Sequence, residues 1–194
     1  MTDSVKIYNC GTYHPYRYRG ALNPKAGDSL SRSMMDLKDP KNGNYNAAIQ
    51  SFSTLIIKEL PRFRYRFGNA GSWTKHIDVP FEVVVIPSHE KGKISKALEA
   101  IAKNICRHYA NGTFSQSLMR NVTVESAHKG GDRSVENHMN TISVISKVSG
   151  KVIVLIDDVT TTGGSMTACV NLLKSKGAKV VLPLALLETA SYEE

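Results

Sequence analysis

Residues 152–165 read VIVLIDDVTTTGGS, and the fold follows from how that stretch changes character along its length. Val152–Ile156 is a continuous apolar run dominated by β-branched residues, the signature of a strand buried on both faces of a parallel sheet. Charge ends the run at Asp157 and Asp158. Thr160, Thr161, Thr162, Gly163, Gly164 and Ser165 follow, and then Met166, Cys169, Val170, Leu172 and Leu173 repeat at helical spacing. The order is strand, small polar loop, helix.

A loop of hydroxyls and glycines at a helix start can close its N–H groups around a phosphate, because glycine permits close approach and the helix dipole favours an anion. Two carboxylates immediately before such a loop would repel the same phosphate, so they need another partner. Adjacent ribose hydroxyls donate well to carboxylates, and a divalent cation is the other partner that fits. Asp157–Ser165 therefore reads as a grip for a sugar 5-phosphate, with the diol and the phosphate held by consecutive parts of one turn.

Ile156-Asp157-Asp158-Val159-Thr160-Thr161-Thr162-Gly163-Gly164-Ser165 resembles the phosphoribosyl-pyrophosphate (PRPP) motif of type I phosphoribosyltransferases. It has neither the lysine of a Walker loop nor the G-x-G-x-x-G of dinucleotide folds. The resemblance implies an α/β fold: a mostly parallel central sheet flanked by helices, with a small N-terminal hood. It implies a division into residues 1–44 as hood or extension and 45–194 as phosphoribosyltransferase core, within a single domain overall. The implied chemistry is transfer of the phosphoribosyl group from PRPP to a nitrogenous acceptor with release of pyrophosphate. Asp157 and Asp158 fix the ribose, Val159, Thr160, Thr161, Thr162, Gly163, Gly164 and Ser165 hold the 5-phosphate, and Mg²⁺ is carried mainly by PRPP with Asp157 and Asp158 as its protein ligands.

The chain has 194 residues, 41% hydrophobic, enough for one domain with a full core. Its net charge of +8 suits a polyanionic ligand or nucleic acid. Three cysteines, Cys10, Cys106 and Cys169, have no metal-binding spacing and read as reduced thiols. No run approaches a membrane span and no basic-then-apolar leader opens the chain, so a cytoplasmic protein without a membrane partner is expected.

Met1–Asn44 is rich in Tyr, Arg, Lys, Pro and Gly, and its HPYRYRG stretch at His14–Gly20 has the ingredients either of a wet-faced edge strand or of a single-strand nucleic-acid contact. In the family this segment meets the acceptor base. Tyr45, Ala48, Ile49, Phe52, Leu55, Ile56 and Leu60 have helical spacing that stops at Pro61. Arg62–Trp73 is basic, aromatic and glycine-bearing, either an exposed hairpin or a nucleic-acid patch with Arg62, Arg64 and Arg66 as contacts. Phe81–Ile86 is the second buried strand. It runs into Ser88, His89, Glu90, Lys91, Gly92 and Lys93, which the resemblance makes the pyrophosphate loop, and then into a helix through Ala97, Leu98, Ile101, Ala102 and Ile105. In that loop Ser88, Lys91, Gly92 and Lys93 suit an oxyanion, His89 reads as a hydrogen-bond partner, and Glu90 offsets the lysines.

Leu118–Met139 is polar and long, the pattern of a lid. By resemblance it closes over PRPP and brings up a catalytic cation, Lys129 or Arg133, beside the Gly130-Gly131 hinge. The order of Leu118-Met119-Arg120, Lys129, Arg133, Thr141–Val144, Gly150-Lys151 and the PRPP motif is similar to the ComF-like subgroup, although that group's paired-cysteine knuckle is absent. Thr161 stands where hypoxanthine-guanine enzymes carry an aspartate, which argues against a 6-oxopurine acceptor. Two further readings follow from the same residues: a non-catalytic PRPP or nucleotide sensor, and an accessory factor in DNA uptake or mobile-element defence whose Tyr16, Arg17, Arg62, Arg64 and Arg66 meet nucleic acid or protein. A homodimer is compatible with each.

Overall fold

A computed structural model describes residues 5–18, 20–66, 71–125, 131 and 134–191. Two short strands, Tyr8–Asn9 (β1) and Thr12–Tyr13 (β2), precede a hairpin of Arg17–Tyr18 (β3) and Ala21–Leu22 (β4). Helices Ser29–Lys38 (α1) and Tyr45–Glu59 (α2) follow, then a second hairpin, Arg64–Tyr65 (β5) with Thr74–Lys75 (β6). Phe81–Val85 (β7), Lys96–His108 (α3) and Gly112–Phe114 (β8) come next. Leu118–Arg120 (β9), Val135–Thr141 (α4) and Ile142–Val144 (β10) lead to Val152–Thr160 (β11), Gly164–Ser175 (α5) and Val180–Thr189 (β12).

The main sheet runs β1-β12-β11-β7-β8, with β2 also on β12, and every neighbouring pair is parallel. Parallel pairing requires crossovers, and the crossover helices cover both faces. Side-chain alternation along β11 divides the two layers. Val152, Val154 and Ile156 pack with Met34, Phe52, Ile56 and Ile101 from α1, α2 and α3. Ile153 and Leu155 pack with Met166, Cys169, Val170 and Leu173 from α5. Both sets are almost fully buried, which explains why β7 and β11 are apolar without interruption.

The helices begin and end where the chemistry of the chain requires. Asp28 caps α1, its Oδ1 accepting from the N–H groups of Leu30 and Ser31 at 2.9 and 3.1 Å. Ser95 caps α3 through Leu98 N–H. Pro61 closes α2 into a 3₁₀ turn, and Gly177, at φ +85°, ends α5. All three cysteines are unpaired.

Two sequence expectations change. The apolar strand was expected to end at Asp157, yet β11 continues to Thr160 because β12 pairs with it out to Glu188. The stretch Leu118–Met139, expected as one lid loop, opens with β9 and contains the start of α4. β9 pairs antiparallel with β10 in a two-stranded flap beside the main sheet. Among the described residues no helix is long and apolar enough to cross a membrane.

Candidate active site

The cleft exists because two neighbouring strands end at different heights. The β7–β11 ladder stops at Val85 opposite Ile156, whereas β11 goes on for another turn of pleat against β12. The carboxyl end of β11 is thereby left with one open flank, the place where ligands sit in sheets of this kind. The cavity there holds about 480 Å³ and is bordered by Asp157, Asp158, Val159 and all of Thr160–Ser165.

Asp157 and Asp158 lie in the strand rather than in a turn, so their side chains leave opposite faces of the sheet while both border the cleft. Each uses one oxygen locally: Asp157 Oδ1 accepts from Asp158 N–H at 2.9 Å, and Asp158 Oδ1 from Val159 N–H at 2.6 Å. Burial, reinforced by the neighbouring Asp158 charge, holds the Asp157 carboxyl well above the usual carboxylate range. Such a group gains from a ligand that donates hydrogen bonds or carries positive charge. Asp158 has a cation already, with Lys38 Nζ of α1 at 3.7 Å from its Oδ2.

Beyond the acids, Gly163 takes up φ +73° and starts α5 with no side chain capping it. The first N–H groups of α5 therefore point into the loop without an internal acceptor, the condition for seating an anion. Thr160 is buried, and Thr161 Oγ1 pairs with Thr189 Oγ1 at 2.8 Å, fastening the loop to the end of β12.

Across the cleft stands Arg120, which sequence reasoning noted only as part of a spacing. It is 2% exposed and borders the cavity. Its Nε donates to Ser88 O and its Nη1 to Thr141 Oγ1, both at 2.7 Å, while Nη2 is 3.4 Å from His138 Nδ1. Burial lowers its pKa from the ordinary arginine value. Among the described residues no carboxylate pairs with it, so the cleft contains a buried cation oriented by neutral acceptors. The available signal was alternation: Leu118 and Arg120 share the buried face of β9.

His89 borders the cavity, but Ser88, Glu90, Lys91, Gly92 and Lys93 are not part of its wall. Lys93 is ion-paired with Glu90, Gly92 N–H donates to Arg120 O, and Lys91 N–H donates to Thr123 Oγ1. The loop is stitched to the flap and supports Arg120 through the Ser88 carbonyl. Lys129 and Arg133 lie outside the described residues. Tyr13, Lys38, Glu125 and Thr189 also border the cavity.

Residues 70–194 match the family described as the phosphoribosyl transferase domain. The chain belongs to that family. Its fold is the type I phosphoribosyltransferase fold, with a mostly parallel central sheet flanked by helices. The chain is 29% identical over 155 residues to adenine phosphoribosyltransferase of Mycoplasma mycoides, covering 79% of this chain and 83% of the relative. It is 41% identical over 64 residues to ribose-phosphate pyrophosphokinase of Prochlorococcus marinus, covering 31% of this chain and 19% of the relative. It is also 41% identical over 63 residues to adenine phosphoribosyltransferase of Dichelobacter nodosus, covering 32% and 33%. The chain thus matches a third or less of the length of two of these three relatives. Among solved structures, a hypoxanthine phosphoribosyltransferase from Staphylococcus aureus superposes with a TM-score of 0.41 at 17% identity, covering 75% of this chain and 68% of that one.

Proposed function

We propose that this phosphoribosyl transferase domain binds PRPP in the cleft at the end of β11 and transfers its phosphoribosyl group to a ring or amine nitrogen. The observation that carries the reading is the order of chemistry along one element: two carboxylates, a hydroxyl loop, then an uncapped helix start, all bordering one cavity. That order matches the order of diol and 5-phosphate on the sugar.

Asp157 and Asp158 accept from the ribose hydroxyls, and the 160–165 loop holds the 5-phosphate. Arg120, already desolvated and oriented, faces the pyrophosphate end and stabilises the charge that develops on its bridging oxygen. Sugar and leaving group are held at both ends, so the C1′–O bond to pyrophosphate breaks with its electron pair leaving on oxygen. The acceptor nitrogen forms the new bond to C1′ and gives up its proton. Lys129 and Arg133 are the lid cations of this proposal, and the 88–93 loop serves by positioning Arg120.

The donor set fits Mg²⁺. Each acid keeps one oxygen clear of backbone bonds, and Mg²⁺ takes one or two carboxylates together with substrate oxygens and water. In this proposal the metal arrives on PRPP and supplies charge neutralisation there. Residues 1–44 act as the hood, because Tyr13 and Lys38 come from that segment and border the cleft. We place the protein in the cytoplasm and assign it nucleotide metabolism.

The experiment is calorimetric titration of Mg·PRPP into the wild type and into Asp157→Asn/Asp158→Asn. Binding to the wild type that the double variant loses is expected, whereas a folded wild type that takes up no PRPP overturns the reading. Pyrophosphate release is then measured with adenine first, since the relative matching most of its length is an adenine enzyme, and with orotate second. Tight PRPP binding with no release for any acceptor would mark a sensor. Turnover on an acceptor outside the purine and orotate classes would support the ComF-like placement.

A further inference from the structure

A second cavity lies apart from the cleft. About 1050 Å³ opens at the other end of β12, where Val180–Pro183 form its floor and the β5–β6 hairpin one wall. Pro183 is there and Thr189 borders the cleft, so the two sites lie about 20 Å apart along the strand. β1 pairs with β12 only from Leu184 onward, which leaves this part of the strand edge to the groove.

Beside apolar residues such as Val5, Val170 and Leu182, its charged groups are nearly all of one sign. Lys6, Arg62, Arg64 and Lys174 face it, against a single acid, Glu59. Glu59 is spent on Arg62 at 2.7 Å. Among the described residues no carboxylate pairs with Lys6, Arg64 or Lys174, and all three are exposed. Interleaved with the cations are the rings of Tyr8, Tyr65 and Trp73. Trp73, the chain's one tryptophan, is 62% exposed, and Arg66 stands over its ring at 5.3 Å. Tyr16 and Arg17, which the sequence grouped with these arginines, do not line the groove.

We infer that this groove binds single-stranded nucleic acid, with bases stacking on Trp73 and Tyr65 and phosphates held by Lys6, Arg64 and Lys174. Unpaired bases present faces to aromatic rings and a regularly charged backbone to cations, and the groove offers both in alternation. Charge complementarity favours this occupant over a second copy of the chain, which would bring the same positive groove to the same place. The volume exceeds what one nucleotide fills and leaves room for consecutive ones. The inference is independent of PRPP binding, because it uses no residue of the cleft.

Trp73 is its own reporter. Titrating oligo-dT into the whole protein should quench the tryptophan saturably, with or without Mg·PRPP. A labelled oligo-dT followed by anisotropy should show affinity falling linearly with log salt. Each phosphate contact contributes a slope of about −0.7, so Arg64→Ala/Lys174→Ala should flatten the slope by about 1.4. Trp73→Ala should weaken binding while keeping the slope. Both variants alter exposed side chains, and an unchanged thermal transition checks their fold. The inference is overturned by no quenching, by an unchanged slope in the double variant, or by competition from Mg·PRPP. It is equally overturned if duplex DNA or dTMP binds as well as the strand, or if Trp73 becomes shielded with protein concentration alone, which would make the groove a self-association face.

Discussion

At the scale of single residues, the cleft is held ready by groups kept away from their preferred state. Asp157 is the clearest. Burial first, and the Asp158 charge second, raise its pKa, while Lys38 works in the opposite direction. A carboxyl with a raised folded pKa binds its proton more tightly folded than unfolded. The stability it contributes is therefore full below the ordinary aspartate range and is lost as pH rises toward the raised value. Asp157→Asn fixes the neutral form. Thermal denaturation at pH 7 should show the variant more stable than the wild type, with the gap closing as pH falls into the ordinary aspartate range. The same variant should lose Mg·PRPP binding, so stability and function would move in opposite directions. A variant less stable than wild type at pH 7 would mean that the carboxylate has a partner that compensates its burial.

At the scale of elements, the β11–α5 connection shows how far a sequence can be read. Its strand, acids, glycines and helix are consecutive, and so are the chemical roles they imply, because local backbone geometry alone brings them together. α2 and α3 were legible for a related reason, since their period is imposed by one buried face, and β7 because burial on both faces leaves it apolar nearly throughout. Arg120 was not, since its importance comes from β9 folding back against the 88–93 loop, a contact that no local pattern encodes. β1 and β2 are two residues each, too short to carry a period, and they become strands only because β12 offers them an edge. The loop itself is testable at Gly163. At φ +73° an L-residue pays about 1–2 kcal/mol, and a Cβ there would stand 2.5 Å from Ile7 Cδ1. Gly163→Ala should therefore lower Tm by about 2–8 °C and weaken Mg·PRPP binding by shifting the start of α5. Adding Ile7→Ala relieves the contact but not the backbone, so it should restore only part of the loss. Full restoration would show that φ was not the constraint.

At the scale of the whole molecule, the question is whether the segment before Tyr45 is an attachment or part of the fold. We propose that it is a hood by position and core by energetics. Met34 and Leu37 of α1 are buried in the same cluster as Phe52, Ile56 and Ile101, on the face of the sheet that α1, α2 and α3 cover together. Cys10 N–H donates to Leu186 O at 3.2 Å and Glu188 N–H to Gly11 O at 2.9 Å, so the N-terminal strands satisfy backbone groups along the edge of β12. Lys38 adds the contact to Asp158. Removing residues 1–44 would strip all three at once: apolar cover over the sheet, hydrogen bonds along an otherwise open strand edge, and the cation beside the acids. An uncovered apolar face and an unpaired edge both favour aggregation over refolding. The full chain should accordingly melt in one transition that coincides by far-ultraviolet and near-ultraviolet circular dichroism, with Mg·PRPP at a hundred times its Kd raising stability by about 2.7 kcal/mol. A 45–194 fragment should lack a cooperative transition and show no such ligand response. If that fragment instead stays monomeric and melts cooperatively, the N-terminal segment is a separable cap, and the contact between Lys38 and Asp158 becomes a docking interaction between two units rather than a feature of one.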